Sequence, residues 1–125
     1  MLIDSHVLIW LLYEPEKIGS GSAKSLKSAE KVFVSPVSLW ELTLKFTKGK
    51  LTYSPQELSQ GIEALNLNRL ALLDRHILAL PNIELVHSDP FDRLLIAQAK
   101  IENIPLITAD ELLLKSSYQT IDCRL

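Results

Sequence analysis

Four carboxylates stand at places in the chain from which they could meet in a folded protein. They are Asp4, Glu41, Asp92 and Asp110. If they share one crevice, their charges repel one another, which raises their pKa values and opposes folding unless a cation lies between them. Carboxylate oxygens are hard ligands that select Mg²⁺ or Mn²⁺. Such an ion can activate a bound water and neutralise phosphate oxygens, so this set of residues indicates hydrolysis of phosphate esters.

The most informative stretch runs from His87 to Lys100 and combines a helix start, an apolar helix body and two carboxylates. Asp89 suits the N-cap position and Pro90 the first helical position, where no amide hydrogen is needed. Asp92 then falls at the third helical position. The apolar residues that follow leave no wide polar stripe, so we expect this helix to be packed on most sides. Asp92 either serves a metal site or only completes a capping box with Asp89.

The elements that would position the other acids begin at the N-terminus. Residues 1–3 are a short apolar run that predicts a strand, and Asp4 suits the cap of a helix over residues 5–13. Residues 19–22 have the composition of a flexible turn, and residues 23–30 predict a short polar helix. The order here is strand, cap and helix.

The same order returns in the next segment. Residues 31–34 predict a second strand, and Ser35 suits the cap of a helix from Pro36 to Lys48. Glu41 is the only acid of this helix, which we expect to be mostly buried. The alternative role for Glu41 is an ordinary intrahelical ion pair with Lys45.

The second half of the chain alternates between strands and helices in the same way. No hairpin signal such as Asn-Gly interrupts the series, so we expect an α/β fold with a mainly parallel sheet of four to five short strands. The predicted elements are a helix from Ser54 to Leu65, a strand at residues 70–73, a short helix capped by Asp74 and closed by Pro81, a strand at residues 106–108, a helix at residues 111–116 capped by Asp110, and an edge strand at residues 120–122.

This order of elements explains why the four acids should meet. In a parallel sheet every strand that leads into a helix does so at the same edge, and ligands bind in the crevice outside those carboxyl ends. Asp4 and Asp110 each follow a predicted strand by one or two residues. Glu41 and Asp92 lie in the first two turns of helices that should begin at that edge. No Ser-His-Asp arrangement, glycine-rich phosphate loop or Cys-x-x-Cys spacing competes with this site.

Length and composition favour one domain that spans residues 1–125. Hydrophobic residues make up 47% of the chain and only 4 residues are glycine, which argues for a packed core. The apolar runs are too short for a membrane span and no signal peptide is evident, so we expect a cytoplasmic protein. The single Cys123 excludes an internal disulfide. A net charge of −2 and a pI near 5.9 count against a nuclease unless the acidic groups are concentrated in one place.

The chain resembles PIN-domain ribonucleases, and in particular the toxins of VapBC-type toxin–antitoxin pairs. The resemblance runs nearly from end to end. It rests on Leu-Ile-Asp-Ser-His-Val-Leu-Ile-Trp at residues 2–10, Ser-Pro-Val-Ser-Leu-Trp-Glu at residues 35–41 with the Lys-Gly-Lys turn after it, Asp-Pro-Phe-Asp-Arg-Leu-Leu-Ile-Ala-Gln-Ala at residues 89–99, and Leu-Ile-Thr-Ala-Asp at residues 106–110. The third segment is the most specific. Ser5 stands where the family usually has Thr, which keeps a hydroxyl group, and the segment from Asn82 to Val86 is longer than the family pattern.

The resemblance implies a fold, an activity and partners. The fold would be a three-layer α/β/α sandwich, and the four acids named above would bind Mg²⁺ or Mn²⁺. The activity would be that of an endoribonuclease in which the ion, held by the three aspartates with Glu41 assisting, activates water to attack an RNA phosphodiester. The partners would be RNA, a small antitoxin and a second copy of the chain in a homodimer. Apolar residues of the helices at residues 5–13 and 54–65 could offer the antitoxin a groove.

Further residues are candidates for contacts with substrate or with the metal ligands. They are Ser5, Lys45, Lys48, Asp89, Arg93 and Thr108. Asp89 is foremost a helix cap, and the basic residues would supply local positive charge for phosphates. We expect His6 and His87 to pack or form hydrogen bonds rather than bind a hard metal ion.

Two other interpretations of the four acids stay open. A metal-dependent phosphatase or a phospho-accepting receiver domain also gathers acids at strand ends, but a receiver needs a Lys after a late strand, where this chain has Asp110. A non-catalytic binding module would use the acids only as helix caps or in ion pairs. A test for Mn²⁺ binding separates this last interpretation, because caps alone would show no metal site.

Overall fold

A five-stranded parallel sheet forms the centre of the fold in this computed structural model, which describes residues 1–84 and 88–125. The strands are β1 (Leu2–Ile3), β2 (Phe33–Val34), β3 (Asn68–Arg69), β4 (Leu106–Thr108) and β5 (Thr120–Asp122). They lie in the order β3-β2-β1-β4-β5, and each neighbouring pair runs parallel. The prediction of a mainly parallel sheet is confirmed, and β1 lies at its centre between β2 and β4.

Seven α-helices connect the strands within the described residues. They are α1 (Ser5–Tyr13), α2 (Ser20–Ser28), α3 (Pro36–Thr47), α4 (Pro55–Ala64), α5 (Asp74–Leu78), α6 (Pro90–Glu102) and α7 (Glu111–Leu114). Short 3₁₀ turns occur at Pro15–Lys17 and Leu80–Asn82. The longest helix, α6, has 13 residues. None of the helices in the described part of the chain has the length and apolar character needed to cross a membrane.

Hydrophobic side chains fill the space on both faces of the sheet. Successive residues of a strand point to opposite faces, so Leu2 and Ile3 belong to different clusters. Ile3 shares its cluster with Leu8 of α1 and Leu58 of α4, whereas Leu2 shares its cluster with Leu95 of α6. Helices therefore cover both faces, which confirms the α/β/α sandwich.

Two predicted caps start helices directly after strands. The carboxylate of Asp4 accepts a hydrogen bond from the Val7 N–H at 2.9 Å where α1 begins. The hydroxyl of Ser35 accepts one from the Val37 N–H at 3.0 Å where α3 begins. Each cap satisfies an amide that the first helical turn leaves without an intrahelical partner. As a result, α1 and α3 both begin at the carboxyl edge of the sheet.

The third strand lies earlier than predicted. It occupies Asn68–Arg69 rather than residues 70–73. Its partner β2 turns into α3 directly after Val34, and the last backbone bond between the two segments joins the Leu70 N–H to the Val34 carbonyl at 2.9 Å. The apolar run that follows has no strand beside it, and the Leu70 carbonyl instead accepts a hydrogen bond from the buried Gln98 side chain at 3.4 Å.

The short helix α5 begins differently from the prediction. Asp74 is its first helical residue, and the cap position belongs to Leu73. The Leu73 N–H donates to Nδ1 of His76 at 3.0 Å, so the first turn satisfies the amide of the cap residue, and no side chain of the cap residue accepts a helix amide. Nε2 of the fully buried His76 lies 2.8 Å from a carboxylate oxygen of Glu102, which ties α5 to the end of α6.

The helix α2 also differs from its prediction, because it begins at Ser20 rather than at residue 23. The stretch predicted as a flexible turn is held by the end of the chain. The Gly19 N–H donates to the Cys123 carbonyl at 2.9 Å, and the Gly21 N–H donates to the Leu125 carbonyl at 3.0 Å. A Cβ atom on Gly19 would lie 2.3 Å from that backbone, so only glycine fits the contact.

Burial follows the prediction for α6 but not for α3. All residues of α6 from Leu94 to Ala99 are buried. In α3 the buried residues are Val37, Ser38 and Leu42, so the prediction of a mostly buried helix is wrong. Trp40 is 52% exposed, and Leu44 and Phe46 are each more than one third exposed. Because α3 packs against α1, α4 and α6 with part of its surface only, several of its other apolar side chains remain in solvent.

Candidate active site

The four carboxylates predicted to meet do lie around one pocket. The pocket has a volume of about 160 Å³. Its lining residues are Asp4, Ser5, His6, Glu41, Lys45, Asp89, Asp92 and Asp110. The sheet order explains this gathering, because β1 and β4 are neighbours and β2 lies next to β1, so the segments that follow these strands share one edge. The acidic groups are therefore concentrated in one place. This was the condition under which an acidic chain could still be a nuclease.

Asp4 is the most enclosed acid of the pocket. Its side chain is buried, one oxygen accepts the capping bond from Val7, and the other accepts a hydrogen bond from the hydroxyl of Thr108. Burial raises the pKa of Asp4, although the two hydrogen bonds act in the opposite direction. Thr108 is itself fully buried, and its hydroxyl also accepts the Asp110 N–H at 3.0 Å. Thr108 thus holds two of the acids from behind the pocket.

Asp92 shows that the carboxylates act on one another. Its pKa is raised to about 7, first by burial and then by the charges of Asp89, Asp110, Glu41 and Asp4. These four residues are all of the other acids that line the pocket. A carboxylate with so high a pKa exchanges its proton near neutral pH, and an added cation would compete with that proton.

Two more of the acids are helix caps, as Asp4 is. One oxygen of Asp89 accepts hydrogen bonds from the N–H groups of Phe91 and Asp92 at 2.9 and 3.1 Å. One oxygen of Asp110 accepts bonds from the N–H groups of Leu112 and Leu113 at 2.9 and 3.1 Å. Each cap engages a single oxygen of its carboxylate. Capping therefore fixes the orientation of these side chains and is compatible with a second role in the pocket.

Glu41 reaches the pocket from α3. Its Oε1 accepts a hydrogen bond from the Ser5 hydroxyl at 2.6 Å, and its Oε2 lies 3.5 Å from Nζ of Lys45. The predicted intrahelical pair is therefore present. The bond from Ser5 adds a contact to α1 that the pair alone would not supply, so the carboxylate is oriented between two helices.

Of the remaining predicted residues, some lie at the pocket and others lie away from it. Lys48 is exposed and does not line the pocket. Arg93 points its guanidinium at the Leu80 carbonyl, 3.1 Å away, and lines a different pocket. His6, which we did not expect at a metal site, is exposed at the pocket because it follows Asp4 in the first turn of α1. The expectation for His87 lies outside the described residues.

The residues of the pocket fit a hard divalent cation by their chemistry. All five acids offer oxygen donors, and their mutual repulsion is of the kind that a cation relieves. Among residues 1–84 and 88–125, however, no three or more His, Cys, Asp or Glu side chains are placed so that together they could hold a metal ion. Such a pocket suits Mg²⁺ or Mn²⁺ better than metals held by a closed protein cage, because Mg²⁺ keeps several waters and needs few protein ligands.

Comparison with known proteins gives a family and several similar folds. The sequence matches a family model described as PIN domain over residues 1–115. No curated protein is similar enough in sequence to count as a match. Similar solved structures include a toxin–antitoxin complex from Klebsiella pneumoniae, with 17% identity, a TM-score of 0.66 and coverage of 97% of this chain and 95% of that chain.

Two further structures have similar folds. VapBC2 from Rickettsia felis, bound to a DNA fragment from its promoter, has 13% identity, a TM-score of 0.65 and coverage of 87% of this chain and 86% of that chain. FitAcB from Neisseria gonorrhoeae has 18% identity, a TM-score of 0.67 and coverage of 97% of this chain and 96% of that chain. At these identities the likeness establishes the fold.

Proposed function

Since this chain belongs to the PIN-domain family, we propose that it is a metal-dependent endoribonuclease and the toxin of a toxin–antitoxin pair. The observation that supports this most is the acidic pocket at the carboxyl edge of the sheet, where four other carboxylates help to raise the pKa of Asp92 to about 7. Helix caps and surface charges need no such concentration. A group of acids that repel one another is stabilised when it binds a cation.

Each residue of the pocket has a part in this proposal. Asp4, Asp92 and Asp110 hold Mg²⁺ or Mn²⁺, and Glu41 assists from α3. When bound, the ion supplies a nucleophilic water and neutralises charge on the phosphodiester. Ser5 orients Glu41, since it donates to that carboxylate at 2.6 Å.

Two further residues act through these acids. Thr108 orients Asp4 and the backbone of Asp110 from behind the pocket. Lys45, which lines the pocket, lies where it can pair with a phosphate oxygen in exchange for Glu41.

Incubation of the purified chain with total RNA tests the activity. We expect cleavage with Mg²⁺ or Mn²⁺, none with EDTA, and discrete ends when the products are mapped. Asp92→Asn should abolish cleavage, whereas Asp74→Asn, the same change at an exposed acid outside the pocket, should leave it unchanged. Hydrolysis of a phosphate monoester without RNA cleavage would favour the phosphatase alternative. Absence of Mn²⁺ binding by calorimetry would favour a non-catalytic module.

An antitoxin is the proposed protein partner. A free ribonuclease would damage the RNA of its own cell, and the similar structures named above include toxin–antitoxin complexes. A groove of about 440 Å³ between α1 and α4, where Leu12 and Leu65 contribute apolar surface, suits an amphipathic segment of such a partner. An Arg of the partner could pair with two acids of the pocket in place of the metal. With RNA as its substrate and an antitoxin as its partner, the protein would act in the cytoplasm.

Co-expression with a small neighbouring gene product tests this partner. Expression of the chain alone should stop growth, and co-expression should restore growth and yield a complex. Leu65→Lys in the groove should weaken the complex, whereas Leu112→Lys on α7, at a similarly exposed side chain, should not. Raised Mg²⁺ or Mn²⁺ should weaken inhibition. A chain that is harmless alone and binds no such product contradicts the toxin assignment.

A homodimer is the second proposed assembly. Ile77 and Leu78 on α5 are 46% and 76% exposed, and Ile101 near the end of α6 is 41% exposed. The bond between His76 and Glu102 holds these two segments together. Apolar side chains grouped in this way mark protein interfaces. Sedimentation should show a dimer that Leu78→Lys converts to a monomer, and an unchanged mass would contradict this interface.

A further inference from the structure

An aromatic pair lies beside the acidic pocket and has no part in the function proposed above. Trp40 directly precedes Glu41 on α3, and Phe91 lies between Asp89 and Asp92 at the start of α6. The two ring centroids are 4.9 Å apart and their planes meet at 78°, which is an edge-to-face contact. The contact fixes the Trp40 ring but leaves the residue 52% exposed. A large aromatic surface therefore faces solvent next to the residues proposed to cut RNA.

Positive charge accompanies this exposed ring. The segment from Trp40 to Lys50 contains three lysines and one acid, in a chain whose net charge is −2. Lys48 is the cap residue that ends α3, about two turns along the chain from Trp40, and its side chain is exposed. Lys45 continues this positive surface to the edge of the pocket. The surface beside Trp40 is thus complementary to a phosphate backbone, although the chain as a whole is acidic.

We propose that Trp40, held in place by Phe91, stacks against an unpaired base of single-stranded RNA that flanks the phosphodiester in the acidic pocket. Lys48 contacts the backbone of the same strand. Proteins hold single strands through aromatic side chains on which bases stack, together with cations along the backbone, and this needs no particular sequence. The proposal deepens the function proposed above and rests on it. An unpaired base meets the ring more readily than a paired one, because a paired base must first leave its stack at an energetic cost.

Binding of a labelled single-stranded RNA of mixed sequence tests this stacking platform, which is the Trp40 ring held by Phe91. An Asp92→Asn background keeps the strand intact. In this background Trp40→Leu, which keeps apolar bulk but removes the ring, should weaken binding about tenfold or more. Trp40→Tyr restores an aromatic ring and should recover most of the affinity. Leu44→Ala removes an exposed apolar side chain one turn along α3 and is the matched control, for which we expect affinity within about twofold of the parent.

Two further measurements separate stacking from other uses of the same surface. With the RNA annealed to its complement, the difference between Trp40→Leu and the parent should disappear. In the active protein Trp40→Leu should raise KM while kcat changes little, since the ring binds the strand outside the reacting group. Equal RNA binding by the Leu and Tyr variants overturns the proposal. So does a Trp40→Leu variant that loses self-association, measured by sedimentation, while its RNA affinity is unchanged.

The outcomes also distinguish this proposal from the function on which it rests. If the unmodified chain cuts RNA with Mg²⁺ or Mn²⁺ and the Trp40 variants bind RNA normally, only the platform is wrong. If the unmodified chain neither binds nor cuts RNA under any metal condition, the proposed ribonuclease function is wrong and the platform falls with it.

Discussion

The side chain of Asp92 is held where its charge is disfavoured. Burial removes the carboxylate from water, the other acids of the pocket repel it, and its pKa rises from 3.8 to about 7. A carboxyl group with a raised pKa binds its proton more tightly in the folded than in the unfolded chain. Its contribution to the free energy of unfolding is therefore greatest below about pH 4, and it is lost as the pH rises through 7.

Asp92→Asn in the metal-free protein should reveal this contribution. The Asn side chain at this position carries no charge at any pH, so the variant should be more stable than the parent at pH 8 by on the order of 1–3 kcal/mol, with the difference shrinking towards pH 4. Urea unfolding in EDTA at several pH values measures this. Asp74→Asn should follow the parent. Parallel pH curves for the parent and Asp92→Asn would contradict the raised pKa.

Thr108 offers a second test at the scale of one residue. Its buried hydroxyl donates to Asp4 and accepts from the Asp110 backbone, so Thr108→Val leaves two buried polar groups without this partner. We expect a loss of about 2–4 kcal/mol in the free energy of unfolding. Because the bond from Thr108 lowers the pKa of Asp4, its removal should also raise that pKa further. Thr108→Ser keeps the hydroxyl and should retain most of the stability and activity, and equal losses in both variants would mean that the hydroxyl is not what matters.

At the scale of elements, the sequence predicted helix bounds correctly where contacts within the first turn determine them. The bounds of α1 agree with the sequence prediction because Asp4 caps the helix within its own first turn. The start of α6 agrees for the same reason, with Asp89 as cap and Pro90 as first residue. These contacts join residues two or three positions apart, and a sequence pattern contains that information.

Elements that depend on distant partners were predicted less well. The apolar run at residues 70–73 has the composition of a strand, but β2 ends before it could pair with this run. The segment before Ser22 looks flexible, but the backbone near residue 125 holds it as the start of α2. The exposed face of α3, with Trp40, follows the apolar pattern of a buried helix. In each case the deciding neighbour lies far away in the sequence.

The position of α6 against the sheet edge depends on a buried polar contact that can be tested. Ser35 donates to Oε1 of Gln98 at 2.6 Å, and the Gln98 amide donates to the carbonyls of Leu70 and Ala71 at 3.4 Å. Gln98→Leu keeps the bulk but leaves these buried groups unpaired, so we expect a loss of about 2–3 kcal/mol in stability. Gln56→Leu, at an exposed position of α4, should change stability by less than about 0.5 kcal/mol.

A double-mutant cycle with Ser35→Ala measures how much of this loss comes from the hydrogen bond between Ser35 and Gln98. If the two side chains act together, the double variant should lose less stability than the sum of the single losses. Strict additivity would mean that the Ser35 to Gln98 bond contributes nothing of its own.

At the scale of the whole molecule, the site exists only because the sheet order joins distant segments. Asp4 follows the central strand, Asp110 follows the strand on one side of it, and Glu41 lies in the helix after the strand on the other side. The sequence predicted this meeting because parallel strands share one carboxyl edge. It could not predict that Arg93 turns to the Leu80 carbonyl instead of the pocket, since that depends on how the segment around residue 80 packs.

The last prediction follows from this assembly of one site by several segments. If Asp4, Asp92 and Asp110 hold a single metal centre, Asp→Asn at any one of them should abolish RNA cleavage. A double change such as Asp4→Asn with Asp110→Asn should then cost little more than either single change, because residues that act as one unit are not additive. The fold should survive, since each change removes one of the charges that repel one another in the pocket. Cleavage rates of the single and double variants, compared with their unfolding curves, measure both effects. Rate losses that multiply would mean that the acids act separately, and the shared centre would have to be given up even if the chain cuts RNA.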